Sequence, residues 1–196
     1  MILNDRSTLL SLLETRRSAK PRDMVEPGPG EGELERILTI AARTPDHGGL
    51  FPWRFVSVAR DQRDALAVLL EEALRAEQLD APAAKQDKTR QFAHNAGALV
   101  VLISAPIKGH KIPVWEQELS CGAAGMNLLH AAHALGYAGG WVTGWAAYSP
   151  MVSRAFCAPG ERIAGFIFLA TPPAGLEERP RAPLTTVWRP WGGSAD

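Results

Sequence analysis

Three short runs of this 196-residue chain combine residue types that grip ligands. The first is Arg16-Arg17-Ser18, with Lys20 two residues further on. Guanidinium forks and a hydroxyl hold a phosphate in bidentate geometry, and the lysine can reach a different atom of the same molecule. The second is Thr44-Pro45-Asp46-His47-Gly48-Gly49-Leu50-Phe51-Pro52-Trp53-Arg54-Phe55, preceded by Arg43. It packs more chemical variety than a simple connection requires, as ligand-bearing loops do. The third is Gly139-Gly140-Trp141-Val142-Thr143-Gly144, where glycines permit a turn that exposes backbone N–H groups.

Each run alone has a plainer reading. Arg16-Arg17-Ser18 reads as a solvated basic helix end, His47 as a structural histidine, and the glycine run as a tight turn in which Trp141 fills core. Together they describe a site for a ring ligand that carries a phosphate, which points to a flavin. A cation such as Lys20 beside N1 and O2 of that ring would stabilise its reduced anion.

Other combinations carry less chemistry. His130 and His133 form an i, i+3 pair without an acidic or thiol partner at ligand spacing. Glu116 and Glu118 lie two apart on a predicted helix, face different directions, and read as helix N-terminal charge. No Gly-x-Ser-x-Gly elbow, no Walker loop and no Gly-x-Gly-x-x-Gly after a strand is present. A metal-assisted hydrolase using His47, His130 and His133 is the reading furthest from a flavin site.

The elements that position these runs are legible in outline. Ser7 is expected to cap a helix through Leu9, Leu10, Leu12 and Leu13 that ends near Thr15-Arg16. After Pro27-Gly28-Pro29-Gly30, the spacing of Leu34, Ile37, Leu38, Ala41 and Ala42 predicts a helix ending before Pro45. Strands are predicted over Phe55–Ala59, Leu99–Ile103 and Gly165–Ala170, and a helix over Gln62–Leu79. Lys85–Asn95 reads as a surface helix or a mobile segment over a site, anchored by Phe92. Trp115–Leu135 is almost free of charge all round and reads as a buried central helix and part of a subunit interface. A glycine-rich turn follows it, then a short helical segment near Ser149-Pro150. The tail, Leu176 to Asp196, shows no period. Three strands among separated helices indicate an α+β layered domain.

Lys plus Arg and Asp plus Glu are 21 each, so no global field favours nucleic acid or an anionic membrane. Cys121 and Cys157 match no zinc spacing and read as small apolar fillers in a reducing compartment. The charged start of the chain does not fit a secretion signal, and the longest apolar stretches are too short for a spanning helix. A cytoplasmic protein is expected.

In these motifs the chain resembles the nitroreductase family of FMN-dependent oxidoreductases, in its compact bacterial NAD(P)H nitroreductase branch. Four ordered motifs carry the resemblance from about Leu9 to about Ala170: Arg16 to Ser18, Arg43 to His47 with Pro52 to Phe55, Trp115 to Glu118, and Gly139 to Thr143. The resemblance implies one nitroreductase-like FMN-binding domain over residues 1–196. Its fold would be α+β and layered, a mainly antiparallel central sheet flanked by helices, in a domain-swapped type of homodimer. FMN would lie at the subunit interface, bound by Arg16, Arg17, Ser18 and Lys20 of one subunit and reached by Arg43 and His47 of the other. Trp141, Val142, Thr143 and Gly144 would complete the site. Ala131 to Gly136 matches a segment assigned to the nicotinamide nucleotide. Some relatives carry a basic residue after the tryptophan, where this chain has Val142, and Arg189 in the tail is the candidate substitute. The implied activity is ping-pong transfer of hydride from NADH or NADPH to a nitroaromatic or quinone-like acceptor, with no catalytic acid or base. A non-catalytic protein that sequesters FMN is the alternative.

Overall fold

A computed structural model describes residues 2–78 and 80–192. Four strands form its sheet: β1 (Trp53–Val58), β2 (Ala98–Ser104), β3 (Ala138–Val142) and β4 (Arg162–Ala170). Their order is β1-β2-β4-β3, and every pair is antiparallel. The α+β layered class is thus observed, with one more strand than the sequence pattern predicts. Gly139 and Gly140 carry little strand propensity, yet they pair with Leu169 and Phe168 of β4, so the expected turn is instead an edge strand.

Alternate residues of the two central strands face opposite layers. Val100, Leu102, Ile167 and Leu169 pack on α2 (Glu31–Ala41) and α5 (Val114–Ala134) through Ile37, Ala41, Cys121, Ala124 and Leu128. Leu99, Val101, Ile103, Phe166 and Phe168 pack on α3 (Arg63–Glu77), on the end of α4 (Ala83–Ala93) and on α6 (Pro150–Phe156). An unbroken apolar strand is what burial on both faces requires. Phe92 of α4 meets Phe166 and Phe168 edge-to-face at centroid distances of 5.3 and 5.1 Å.

The first helix, α1 (Leu9–Thr15), is capped by Thr8, whose side chain accepts from the Ser11 N–H. Ser7, the predicted cap, lies one residue too early and its hydroxyl turns to that of Ser11. In α6, Ser149 is the cap, with Pro150 in the first turn. The last helix, α7 (Leu184–Val187), lies in an exposed tail.

Arg63 is a buried charge that composition does not announce. Its guanidinium donates to the carbonyls of Val58 (3.2 Å), Ala93 (2.8 Å) and Gly97 (3.0 Å). It therefore ties the ends of β1 and α4 and the turn before β2 to the start of α3. Burial and the nearby Arg60 hold its pKa below the usual arginine value.

Among the described residues, no helix is long and apolar enough to cross a membrane. Both cysteines are free thiols. Burial pushes the Cys121 thiol up to about 11, which makes it inert as a nucleophile.

Candidate functional site

The glycine run and the Arg16–Lys20 segment meet. A side chain at Gly140 would place its Cβ 2.6 Å from the Ala19 carbonyl oxygen and 3.2 Å from Met24 Cε. A Cβ at Gly139 would collide with Leu129 of α5 and sit 3.4 Å from His133 Cε1. The paired glycines thus let β3 be approached by the Arg16–Lys20 segment on one side and by α5 on the other.

Trp141 takes the core reading. Its indole N–H donates to the Ala164 carbonyl at 3.1 Å. The register between β2 and β4 passes from Leu102↔Gly165 to Ile103↔Ile163, leaving Ala164 as the bulged residue. The ring lies where side chains at Gly125 and Gly165 would otherwise be. Trp141 is therefore buttressing from behind the strand end that carries Val142 and Thr143.

Val142, Thr143 and Gly144 line a cavity of about 600 Å³ with Lys20. Gly144 has φ +64°, a conformation that favours glycine, and it turns the chain from β3 into Trp145. The cavity's other wall is α4, which presents Lys85, Lys88, Thr89 and Phe92 at helical spacing. The segment predicted as surface helix or mobile cover is thus a helix forming one wall of the site. Phe92 is the recognisable signal for it, whereas the lysines look like ordinary surface charge.

Arg17 and Ser18 stand beside this cavity on a smaller one of about 310 Å³ that they line with Lys20, Asp23 and residues 173–179. Arg16 Nη1 donates to Ser18 Oγ at 3.2 Å. Arg17 is buried, and its Nε donates to the Glu177 carbonyl at 3.0 Å. Burial lowers the pKa of both arginines. Arg179, Arg181 and Arg16 push Arg17 further down, against which only Glu178 acts. Four guanidinium groups thus act on one another here, with Asp23, Glu177 and Glu178 also at the cavity, and a phosphate is the type of group that charge-assisted bonds from such forks would hold.

His133 is committed elsewhere. Its ring nitrogens lie 2.6 Å from the Leu129 carbonyl and 3.2 Å from the Arg17 carbonyl. Burial lowers its pKa, opposed by these two bonds. It orients the backbone of Arg17. No group of three or more His, Cys, Asp or Glu side chains converges on a metal position among the described residues. With Gly136, Tyr137 and Arg6, His133 also lines a cavity of about 760 Å³ at the end of α5, the region that includes Ala131 to Gly136.

The Thr44–Phe55 loop is built from its own polar residues. Asp46 Oδ2 accepts from the N–H groups of Leu50 (2.5 Å) and Phe51 (2.9 Å). Asn127 of α5 donates to Thr44 Oγ1 at 2.7 Å. Gly48 and Gly49 supply the positive φ that closes the loop. Trp53 is buried. His47 Nδ1 lies 2.8 Å from Glu116 Oε2, while Glu118 pairs with Arg162 at 2.8 Å. Between them, buried Gln117 donates to the carbonyls of Ile107 and Ile112. The Trp115–Glu118 motif is thus a clamp on surrounding loops, more than the helix-end charge its sequence suggests.

Within one chain, His47 and Arg17 touch opposite ends of α5, at Glu116 and His133. The seventeen intervening steps at 1.5 Å each separate them by about 25 Å. Arg43 and Arg189 are exposed on other parts of the surface, and neither lines the Lys20 cavity. The structure therefore brings together Arg16, Arg17, Ser18, Lys20, Val142, Thr143 and Gly144, and leaves His47, Arg43 and Arg189 outside that group.

Comparison with known proteins shows the family and the fold. An Escherichia coli (strain K12) protein named "Putative NAD(P)H nitroreductase YdjA" is 37% identical over 164 residues, covering 83% of this chain and 87% of its own. A Haemophilus influenzae protein named "Putative NAD(P)H nitroreductase" is 34% identical over 175 residues, covering 88% and 91%. The fold matches a nitroreductase-like family protein from Bacillus cereus with a TM-score of 0.83 at 19% identity, covering 95% of this chain and 97% of that one. It also matches a Desulfovibrio desulfuricans protein named "putative nitroreductase" and solved in complex with FMN, with a TM-score of 0.69 at 18% identity, covering 94% and 98%. The family model described as "Nitroreductase family" matches residues 13–170, and the chain belongs to the nitroreductase family.

Proposed function

We propose that this chain is an FMN-dependent oxidoreductase that uses NADH or NADPH to reduce nitroaromatic or quinone-like acceptors by a ping-pong mechanism. The observation that carries the reading is the convergence of Lys20 with Val142, Thr143 and Gly144 on one cavity, beside a second cavity that Arg17 and Ser18 line. Bound FMN would supply the centre that accepts hydride and returns it. Arg16, Arg17 and Ser18 would hold its phosphate, and Lys20 would set a positive charge at the pyrimidine edge, favouring the reduced anion. The walls of α4 and Gly144–Ala146 would admit nicotinamide and acceptor in turn. Each cycle takes one hydride from NAD(P)H and one proton from solvent. For a nitro group, that hydride and that one proton together carry the lost oxygen away as water and leave the nitroso product, the equivalent of two electrons and two protons in all.

Two copies are needed for the full site in this proposal. One face of α5 exposes Trp115 (67%) and Leu119 (53%), with Ala123 in register, and α1 exposes Leu9 (73%) and Leu10. Apolar surface of that extent fits a homodimer interface. The exposed tail residues Leu184, Val187 and Trp188 fit the same exchange, which would carry Arg189 to a second copy. Arg43 and His47, the latter about 25 Å along α5 from Arg17, would then reach the flavin held by the partner. The free thiols fit a cytoplasmic protein acting as one domain over residues 1–196.

Anaerobic addition of NADH or NADPH to the purified yellow protein tests the reading. Bleaching of the flavin absorbance, recovered on adding a nitroaromatic or quinone, is the expected result. A yellow protein that does not bleach belongs to the FMN-sequestering class instead, and a colourless one refutes flavin binding.

A further inference from the structure

The Lys20 cavity has an electrostatic character that the overall composition hides. The chain as a whole is balanced at 21 basic and 21 acidic residues, yet Lys20, Arg22, Lys85 and Lys88 line this cavity and no Asp or Glu does. Arg22 is shared with Asp23 at 3.5 Å, so the excess rests on the three lysines. None of them has a carboxylate within ion-pair distance among the described residues. Lys85 is steered by a bond from its ammonium to the Gln78 side chain. The rest of the wall is mainly apolar or aromatic, with Phe92, Val142 and Trp145, alongside the neutral polar residues Thr89, Gln91, Asn95 and Thr143.

A mainly apolar cavity edged by unpaired ammonium groups binds a ring with an anionic substituent better than a neutral ring of the same shape. Lys85 and Lys88 are separate from the group that would hold the flavin, because they stand on α4 across the cavity. We propose that Lys85 and Lys88 select carboxylate-bearing aromatic acceptors, and that this cavity discriminates by charge as well as by shape. The inference rests on the reductase reading for its chemistry, but its binding contrast is independent of turnover.

Two arms test it on the FMN-loaded protein. In the first, benzoate and benzamide are titrated while following the fluorescence of the tryptophans, since Trp145 lines the cavity. Partly exposed ion pairs correspond to factors of up to about five each, so benzoate should bind roughly tenfold tighter at low salt. That preference should disappear in the K85Q/K88Q double variant, survive in K85R/K88R, and shrink in about 0.5 M NaCl. In the second arm, dithionite-reduced protein is reoxidised anaerobically by para-nitrobenzoate or para-nitrobenzamide, without nicotinamide. The rate ratio in the wild type, divided by that in the K85Q/K88Q variant, cancels the intrinsic difference in reducibility and should be about ten. A benzoate preference that is absent, or that K85Q/K88Q leaves unchanged while the circular dichroism is native, overturns the proposal. Failure of both acceptors to reoxidise the flavin, with the benzoate contrast intact, would instead overturn the reductase reading.

Discussion

Replacing Arg63 by methionine should loosen the cavity wall from a distance. The methionine keeps much of the apolar stem but removes every donor, leaving the Val58, Ala93 and Gly97 carbonyls without the guanidinium. A buried carbonyl that loses its donor costs ~1–3 kcal/mol, and three of them set a gross loss several times larger than a single bond. Against this stands the cost of keeping a buried guanidinium, seen in its lowered pKa, which the variant no longer bears. The net expectation is about 3 kcal/mol of destabilisation, which for a chain of this size lowers Tm by about 6–12 °C. R63K, which keeps the charge but not the fork, should fall between the two proteins. Because Ala93 ends α4, hydrogen exchange over residues 83–93 should accelerate more than exchange over α5. A Tm for R63M within about 2 °C of wild type, with unchanged exchange in α4, would refute the clamp.

Three further outcomes are expected. G125A would drive a methyl into Trp141 and to 2.7 Å from Leu102 Cδ2, so overpacking should cost ~1–3 kcal/mol, read as a lower denaturation midpoint. R16A should weaken FMN retention by about tenfold or more through loss of a charge-assisted contact, read by flavin released on ultrafiltration; unchanged occupancy would remove Arg16 from the phosphate site. Burial lowers the folded-state pKa of His133, and of His130 beside Arg16, below the ordinary 6.5. The unfolded chain therefore binds more protons below that value, so stability present above about pH 6.5 is lost as pH falls through the folded pKa. Tm should drop between about pH 7.5 and pH 5.5, and less so in H133Q; an equal drop in both would assign the effect to other groups.

The parts of the fold readable in the sequence are those set by local chemistry. Pro45 stops α2, Asp80-Ala81-Pro82 separates α3 from α4, and the run Leu99–Ile103 is a strand because it must be apolar on both faces. The parts that were not readable depend on residues far away in sequence. Gly139 and Gly140 form a strand only because β4 pairs with them and because two other segments approach too closely for a side chain. Arg63 is buried because carbonyls 30 and 34 positions later converge on it. The charge-free surface of α5 suggests burial all round, yet within one chain Trp115 and Leu119 face outward, where a second copy would cover them. Among the site residues, Arg16 to Lys20 and Val142 to Gly144 were recognisable by type, whereas Lys85 and Lys88 acquire meaning only from the cavity they edge.

The central claim is that a flavin site is assembled from two copies, the Arg16–Ser18 side of one and the Arg43–His47 loop of the other. Differently tagged R16A/S18A and R43A/H47A chains can be co-expressed and the mixed dimer isolated by both tags. If each site draws on both copies, the mixed dimer holds one site with every lesion and one with none, and should retain one tightly bound FMN and NAD(P)H-driven bleaching that neither variant shows alone. If each site is complete within one chain, every site in the mixed dimer carries a lesion. A mixed species with no more flavin or bleaching than its parents, or no dimer to isolate, would contradict the account.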